Sequence, residues 1–451
     1  MEPFRYHVYI CTQNKPDGIP CCHRDGAGKL ALQLKTDLAA RDLADTVQMT
    51  TCGCLGLCEK GPNMVIYPEG TWYTELDSER LSRIVTGHLL NGEPVAELAL
   101  GDMDTARTEI IAHNRKVAGM KAVMDQAGVI PEELNRYIRS FMESRLVLTA
   151  VELDLFTALG SGSTAEKVAA QLETDPRATE SILNALVAIE LLTKEGNTYR
   201  NSDLTADYLV AGARHDSRTA TLHPAKLWHR WSTLTDCVKA GTNVAKDSGE
   251  RNREQTMAFI AAMHKNAGFR GKMTVQQLDL EDVQHILDLG GGSGAYTIAF
   301  LQQKPDLTAT LFDVPEVIPL SEAYIADAGL SERVTFVAGD MIKDSLGEGH
   351  DLVWVSAICH MWGPEENQDL IKRVYDALDP GGQIIIQDFV LDDQKTAPRF
   401  GAIFALNMLV NTRSGSSYSR AEYETWMRAA GFEQIVHKPL PGPTDLIIGI
   451  K

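Results

Sequence analysis

The chain has 451 residues, which is too long for one ordinary hydrophobic core, so two or three domains are expected. Its formal net charge of −18 at pH 7 argues against a nucleic-acid or anionic-membrane partner, because either would attract a basic surface. The sequence has neither an apolar run of about 18 residues nor the pattern of a signal peptide, so a cytoplasmic protein without a membrane segment is expected.

Residues 1–98 are predicted to form a small α/β unit. A strand pattern in "RYHVYICT" and another in "TVQMTTC" flank a helical pattern, and a hairpin and a final helix follow. This β-α-β-β-α order favours helices packed on a sheet. Residues 99–125 have a polar helical pattern and are predicted to be a connector.

Six of the eight cysteines lie within the first 58 residues, which is unusual for a protein of a reducing compartment. A thiol cluster there favours metal or redox chemistry, and soft thiolates select zinc or iron–sulfur clusters. The four best candidate ligands are Cys11, Cys22, Cys54 and Cys58. Only the last two form a short pair, whereas structural zinc sites usually have two, so an iron–sulfur cluster is favoured over zinc.

The segments "VYICTQNKPDGIPCCHRDG" and "CGCLGLCEKGPNMVIYPEGTWY" closely resemble the thioredoxin-like [2Fe–2S] ferredoxins over nearly all of residues 5–98. The resemblance implies that Cys11, Cys22, Cys54 and Cys58 bind a [2Fe–2S] cluster. Cys21 adjoins Cys22 and is an alternative ligand at that position.

Residues 126–215 are predicted to be mainly helical. Ser163 and Glu166 have the spacing of a capping box, and Asp175 with Pro176 is typical of a helix start. A hairpin pattern follows, so the order is that of a winged helix. The acidic charge argues against DNA binding, and the excess of apolar residues over 131–159 predicts burial against a partner chain.

Residues 216–451 form the last predicted domain. From residue 283 onward, six short apolar strand patterns alternate with helices, which is typical of a parallel, doubly wound, Rossmann-like α/β sheet. The segment "ILDLGGGSGAYTIAF" has a strand, a glycine turn and a helix. Gly290, Gly292 and Ala295 fit a dinucleotide fingerprint, whereas Asp288, Gly290, Gly292 and Gly294 fit an S-adenosylmethionine (SAM) motif.

Asp313 ends the second predicted strand, where its carboxylate can accept hydrogen bonds from ribose in either cofactor, so it does not distinguish them. The next two segments favour SAM. Asp340 and Met341 follow the third strand, and a carboxylate with a polarisable thioether suits adenosine.

"VSAICHMWGPEENQDLIKRVYDALDPGGQIIIQDFVL" resembles the O-methyltransferases that act on plant phenylpropanoids and bacterial aromatic polyketides, with His-x-Trp after the fourth strand and Leu-x-Pro-Gly-Gly after the next helix. The resemblance covers about residues 126–451. It implies a homodimer through the winged-helix domain and methyl transfer to a small hydroxyl substrate of aromatic or quinol type.

His360 is the candidate general base, because an imidazole can accept a phenolic proton at neutral pH. Asp388 matches the acid that orients this base through the other ring nitrogen. Some members of the family carry a further acid near the position of Ser417, which this chain lacks, and Gly363 and Pro364 stand where an acidic residue is usual. A structural role for His360 at a helix start is the alternative.

Apolar and aromatic residues of the helices that resemble the family's pocket are candidates for the substrate wall, although such stripes are also typical of a core. Asn407 is the polar exception, whose amide can bind a substrate oxygen. The candidates are Trp228, Trp231, Met257, Phe259, Met263, Phe404, Asn407 and Met408.

Methyl transfer needs no electrons, so the role of a cluster is open. It can reduce a quinone-like substrate before methylation, sense redox state, exchange electrons with a partner protein, or serve as a docking or stability element. Two alternative functions are a SAM-binding relative that performs decarboxylation or hydroxylation, and an electron carrier whose second half only binds a ligand. Complete glycine-loop, "FDV", "GDM" and "HMW" segments favour a working cofactor site over the carrier.

Overall fold

The computed structural model describes residues 3–15, 19–245 and 270–451, together with residues 260, 264, 267 and 268. The chain divides into two compact units, Met1–Phe141 and Met142–Lys451. Within the described residues, no helix combines the length and the apolar composition that a membrane crossing requires.

The first unit is built on a four-stranded sheet of order β2-β1-β3-β4. β1 is parallel to β2 and antiparallel to β3, which in turn is antiparallel to β4. The strands are β1 (Tyr6–Cys11), β2 (Val47–Cys52), β3 (Met64–Tyr67) and β4 (Thr71–Tyr73). Alternate residues of β1 enter the core as its sequence predicts, since Val8 and Ile10 are fully buried.

Three helices complete this unit. α1 (Ala27–Ala40) turns Leu30, Leu34 and Leu38 into the same core as β1. α2 (Ser78–Ile84) continues into a π-helical turn, Val85–Leu90, and α3 (Met103–Gln126) follows. The predicted order of strand, helix, strand, hairpin and helix is confirmed, as is the helical pattern after it.

A helical region with one hairpin begins at the end of the first unit and continues in the second. Its elements are α4 (Glu132–Glu152), α5 (Leu155–Ala158), α6 (Ala165–Leu172), α7 (Pro176–Ala188), β5 (Leu192–Glu195), β6 (Thr198–Asn201) and α8 (Asp203–Tyr208). The predicted start of α7 is confirmed, because the Asp175 side chain accepts a hydrogen bond from Ala178 N at 2.8 Å.

The predicted capping residue of α6 is wrong. Thr164, not Ser163, caps this helix through a contact to Lys167 N. The Ser163 backbone instead exchanges hydrogen bonds with Tyr199 of the hairpin, which keeps it extended and moves the start of the helix by one residue.

The second unit ends in a seven-stranded sheet of order β12-β13-β11-β10-β7-β8-β9. Its strands are β7 (His285–Leu289), β8 (Thr308–Asp313), β9 (Val334–Ala338), β10 (His350–Ser356), β11 (Leu378–Asp388), β12 (Val436–Lys438) and β13 (Asp445–Ile450). The helices are α9 (Arg218–Trp231), α10 (Leu234–Ala240), α11 (Ala295–Gln303), α12 (Ile318–Asp327), α13 (Pro364–Ala377), α14 (Arg399–Asn411) and α15 (Arg420–Ala430).

All six predicted strands of this sheet are present, but the sheet is not entirely parallel. β13 is antiparallel to β11 and to the unpredicted strand β12. A short connection joins β12 to β13, and so short a link allows only antiparallel pairing. The five remaining strands are parallel, so their carboxyl ends lie along one edge of the sheet.

Candidate functional site

The predicted site residues of the second unit meet at the carboxyl edge of the parallel strands. Ligands of doubly wound sheets bind at this edge, outside the strand ends. Going across the sheet, the residues at or just after these ends are Asp388, His360, Gly290, Asp313 and Asp340.

His360 and Asp388 form a buried pair. The Nδ1 atom of His360 lies 2.7 Å from Asp388 Oδ1, and Asp388 Oδ2 accepts a hydrogen bond from the His360 backbone N–H at 3.1 Å. The two residues are 8% and 1% exposed. A carboxylate only accepts hydrogen bonds, so Nδ1 carries the proton and Nε2 of the neutral ring presents a lone pair. This arrangement can accept a proton from a ligand.

Aromatic rings surround the His360 imidazole. Phe404 of α14 meets it edge-on with ring centroids 5.0 Å apart, and Phe389 lies 5.8 Å away. Phe404 was predicted from the sequence, whereas Phe389 was not, although it directly follows Asp388. The rings give the pair an apolar surrounding suited to a flat, apolar ligand.

The glycine turn after β7 has a backbone that side chains would disturb. Gly290, Gly292 and Gly294 have φ of +72°, +56° and +75°. A Cβ on Gly290 would lie 2.4 Å from Ile358 Cδ1, whereas a Cβ on Gly292 would meet only Ile260 Cδ1, at 3.9 Å. Gly290 is therefore tightly packed, whereas among the described residues a Cβ on Gly292 would make one ordinary van der Waals contact.

Two carboxyl groups support this turn. Asp313 Oδ2 accepts a hydrogen bond from Gly292 N at 2.7 Å, and burial raises the pKa of Asp313. Asp288 accepts one from Thr297 Oγ1 at 2.6 Å, and burial raises the pKa of Asp288 to about 6. Asp288 is 2% exposed and supports the turn from below.

Asp340 and Met341 extend the edge beyond Asp313. Lys343 Nζ donates to Asp340 Oδ2 at 2.6 Å, and this contact lowers the pKa of the Asp340 carboxyl. Met341 packs against the core, and its Cε would lie 3.2 Å from a Cβ on Gly290. The thioether therefore adjoins the glycine turn.

The predicted substrate-wall residues divide into three groups. Trp231 Nε1 donates to Asn407 Oδ1 at 3.0 Å, which joins α9 to α14, and Met408 is buried beside them. Trp228 instead lies under the guanidinium of Arg145, 5.5 Å from its ring. The candidates Met257, Phe259 and Met263 lie outside the described residues.

Tyr423 of α15 is a residue that the sequence analysis missed. It is fully buried, and burial, with Asp388 and Cys359 as neighbours, raises the pKa of its phenol. Its apolar-face spacing on α15 marks a core residue, so nothing in the pattern distinguishes it.

Ser417, at the position of the absent acid, donates to the Gly401 carbonyl at 2.9 Å.

His264 was also missed. Its Nδ1 lies 2.8 Å from Ser293 Oγ of the glycine turn, and its ring stacks on Tyr324 with centroids 3.9 Å apart. A lone histidine in a helical segment carries no sequence signal for such a contact.

In the first unit, four cysteines form two pairs. Cys22 hydrogen-bonds to Cys11, and this contact lowers the pKa of Cys11. The Sγ atoms of Cys54 and Cys58 are 3.2 Å apart. Gly61 adjoins one residue of each pair, since a Cβ there would lie 3.2 Å from Cys22 Sγ and 3.4 Å from the Cys58 carbonyl oxygen.

Backbone and side-chain N–H groups surround these sulfur atoms. Gly56 N donates to Cys54 Sγ at 3.3 Å, and Asn63 Nδ2 to Cys22 Sγ at 3.5 Å. Cys21 faces Asn14 Oδ1 instead, at 3.8 Å. The structure therefore places Cys22, rather than Cys21, beside Cys11. N–H donors around paired thiolates fit a negatively charged metal–sulfur group.

Residues 135–211 match a family profile described as an O-methyltransferase dimerisation domain, and residues 231–433 match one described as an O-methyltransferase domain. The chain is 32% identical to the 3-hydroxy-5-methyl-1-naphthoate 3-O-methyltransferase of Streptomyces sahachiroi over 332 residues, which is 71% of this chain and 95% of that protein.

Two solved structures are similar to the same part of the chain. Human N-acetylserotonin methyltransferase in complex with SAM matches with a TM-score of 0.63 and 27% identity, over 72% of this chain and 99% of that one. PigF with SAH matches with a TM-score of 0.67 and 26% identity, over 72% of this chain and 100% of that one.

Proposed function

The chain belongs to the O-methyltransferase family, and from this premise we propose that it transfers a methyl group from SAM to a hydroxyl oxygen of a small aromatic or quinol-type substrate. The observation that carries the proposal is the buried His360–Asp388 pair, with Nε2 as the free acceptor. Relatives that act on a naphthoate and on acetylserotonin support an aromatic substrate.

The residues present fit SAM at the carboxyl edge of the sheet. The glycine turn at Gly292 provides a cradle, the half-buried Asp313 carboxylate stands beside it, and Met341 adjoins Gly290. When bound, SAM supplies the electrophilic methyl carbon.

The chain's own residues prepare the substrate oxygen. Nε2 of His360 accepts the hydroxyl proton, which leaves the oxygen as a stronger nucleophile. Asp388 holds the ring in the required tautomer and stabilises the imidazolium that forms. Phe389 and Phe404 exclude water from this step, and the Asn407 amide, held by Trp231, orients the substrate.

The test is product analysis with SAM labelled in the methyl group, using a panel of phenols and hydroquinones. We expect the label in an aryl ether. Measurements with the first unit oxidised and then reduced will show whether it affects turnover. Label in no product in either state, with consumption of a carboxylated substrate instead, would support a non-methylating relative.

We further propose that the first unit is a thioredoxin-like domain that holds a [2Fe–2S] cluster through Cys11, Cys22, Cys54 and Cys58. Two adjacent thiol pairs surrounded by N–H donors support this ligand set, since each iron of such a cluster takes two protein ligands. The cluster serves electron transfer, with a redox partner protein, or redox control of the methyl transfer.

Substitution Cys11→Ser is expected to abolish the cluster. The full chain, purified without oxygen, should contain about two iron atoms and a visible sulfur-to-iron absorption band. Cys21→Ser is the matched control, because Cys21 is an equally buried thiol that faces Asn14, and it should keep both signals. Equal iron content in the two variants would contradict the ligand assignment.

We also propose a homodimer through the region of residues 135–211, whose profile is that of a dimerisation domain. The first half of α4 supports it, because large apolar side chains are exposed there that a partner chain would cover. They are Leu134, Tyr137, Ile138 and Phe141.

A further inference from the structure

Helix α3, which follows the predicted ferredoxin-like segment, lies against the cysteine loop. Lys60 Nζ pairs with Glu109 Oε2 at 2.7 Å. A Cβ on Gly56 would lie 2.8 Å from Ile110 Cγ2, so the Ile110 side chain touches the loop at its glycine. These two contacts place the turn of α3 that follows Glu109 beside Cys54 and Cys58.

His113 lies on that turn. Its Nε2 atom is 3.7 Å from Cys58 Sγ and 3.9 Å from Cys54 Sγ. Donor atoms bound to one tetrahedral metal at about 2.0–2.3 Å lie about 3.5–3.8 Å from one another. The imidazole nitrogen therefore has the separation from both sulfur atoms that a shared metal requires, while the two sulfur atoms, 3.2 Å apart, are slightly closer.

The position of Lys15 indicates the direction in which the cysteine sulfur and the imidazole nitrogen point. Its ammonium group is 3.0 Å from Cys58 Sγ and 2.9 Å from His113 Nε2. An ammonium group only donates hydrogen bonds, so Nε2 directs a lone pair toward it. A positive charge thus occupies the point on which the cysteine sulfur and the imidazole nitrogen converge, and a metal cation suits the same point.

We propose that His113 is a metal ligand, which with Cys54 and Cys58 forms a three-donor site for a soft or borderline cation at the exposed end of the cysteine loop. Thiolate and imidazole together suit zinc, iron and cobalt. The site shares Cys54 and Cys58 with the proposed cluster. Because each iron of a [2Fe–2S] cluster takes only two protein ligands, the three-donor site holds a single cation when the cluster is absent.

The proposed site also bears on the spacing of the cysteines in the sequence. Cys54 and Cys58 are separated by three residues, which is a usual spacing for a pair of metal ligands, but the four-cysteine set contains only one such pair. His113 supplies the third donor from 55 residues beyond Cys58, on a separate helix.

The test uses the full-length chain, freed of metal without oxygen and titrated with Co²⁺, whose visible absorption reports tetrahedral thiolate ligation. We expect His113→Ala and His113→Gln to weaken Co²⁺ binding by about tenfold or more, because each removes one ligand. His7→Ala is the matched control. His7 is another half-buried histidine of the first unit, whose Nε2 bonds to Thr50 Oγ1, and its loss should leave Co²⁺ affinity unchanged.

A third variant, Cys11→Ser, separates this site from a four-cysteine site. It should keep the Co²⁺ spectrum if Cys54, Cys58 and His113 bind the metal. Unchanged affinity in both His113 variants would overturn the proposal, as would loss of the spectrum in Cys11→Ser alone. A chain that needs His113 for Co²⁺ but takes up no iron and sulfide would overturn the cluster proposal and support this one.

Discussion

Replacing Asp388 by Asn is expected to lower the rate of methyl transfer by about 10²- to 10⁴-fold, which is the usual contribution of a positioned general base. The side chains are nearly equal in size, so the fold should remain. The effect comes from hydrogen bonding, because three N–H groups, His360 Nδ1, His360 N and Phe389 N, donate to the Asp388 oxygens, and the Tyr423 hydroxyl is a further donor.

An amide cannot serve all three donors. If its oxygen stays at Nδ1, its NH₂ group opposes the His360 backbone N–H, and a buried donor loses its partner. If the amide turns over, its NH₂ group donates to Nδ1, and the ring must carry its proton on Nε2. That tautomer cannot accept a proton from the substrate.

The measurement is kcat and kcat/KM for Asp388→Asn, His360→Ala and the double variant. Because Asp388 acts through His360, the double variant should be no slower than His360→Ala. Asp351→Asn is the matched control. Asp351 lies at the amino end of β10, and its carboxylate accepts hydrogen bonds from the Gln284 and His285 N–H groups. This variant should keep its rate. If only His360→Ala loses activity, Asp388 is structural.

Alanine at Gly290 and at Gly292 is expected to weaken cofactor binding for two different reasons. At Gly290 the Cβ would lie 2.4 Å from Ile358 Cδ1, so the Ile358 side chain or the turn must move. Overpacking of this kind costs about 1–3 kcal/mol, in addition to about 1–3 kcal/mol for a side chain at positive φ. Gly290→Ala should therefore also destabilise the second unit.

At Gly292 the Cβ meets no atom of the described residues closer than 3.9 Å, so the backbone strain is the main cost. The added methyl group instead fills the space proposed for SAM. We expect Gly292→Ala to weaken SAM binding by about tenfold or more, equivalent to about 1.4 kcal/mol, with a smaller loss of stability than Gly290→Ala.

Gly329→Ala is the control for both, because Gly329 has φ of +71° and no atom within 4 Å of its added Cβ. Unfolding by denaturant and calorimetric titration with SAM measure the two effects separately. Gly329→Ala should lose only the stability that the backbone strain costs, and its SAM affinity should be normal. Equal SAM affinity in Gly292→Ala and Gly329→Ala would show that the turn is not the cradle.

Much of the fold follows from local pattern. The alternation in β1, the apolar strands of the second sheet and the cap of α7 by Asp175 depend on neighbours in sequence, and the structure has each of them. The antiparallel direction of β13 does not follow from local pattern. Its short apolar run is compatible with either direction, and the hairpin with β12 decides it.

The parts of the site that lie directly after strand ends could be predicted from the sequence. His360, Asp388, Asp313 and the glycine turn lie at known positions relative to strands, and parallel strands bring those positions together. The hydrogen bond between Trp231 and Asn407 could not be predicted, because it joins two helices through residues 176 positions apart.

The sequence by itself determined the elements, their order and the residue types available for chemistry, because periodicity, caps and glycine turns act over a few residues. Only the tertiary structure decided which donors meet. It placed Tyr423 beside Asp388, directed Trp228 to Arg145, and brought His113 from α3 to Cys54 and Cys58. The physical reason is that such contacts depend on the packing of whole helices, whereas a helical pattern specifies which face is buried but not which group it meets.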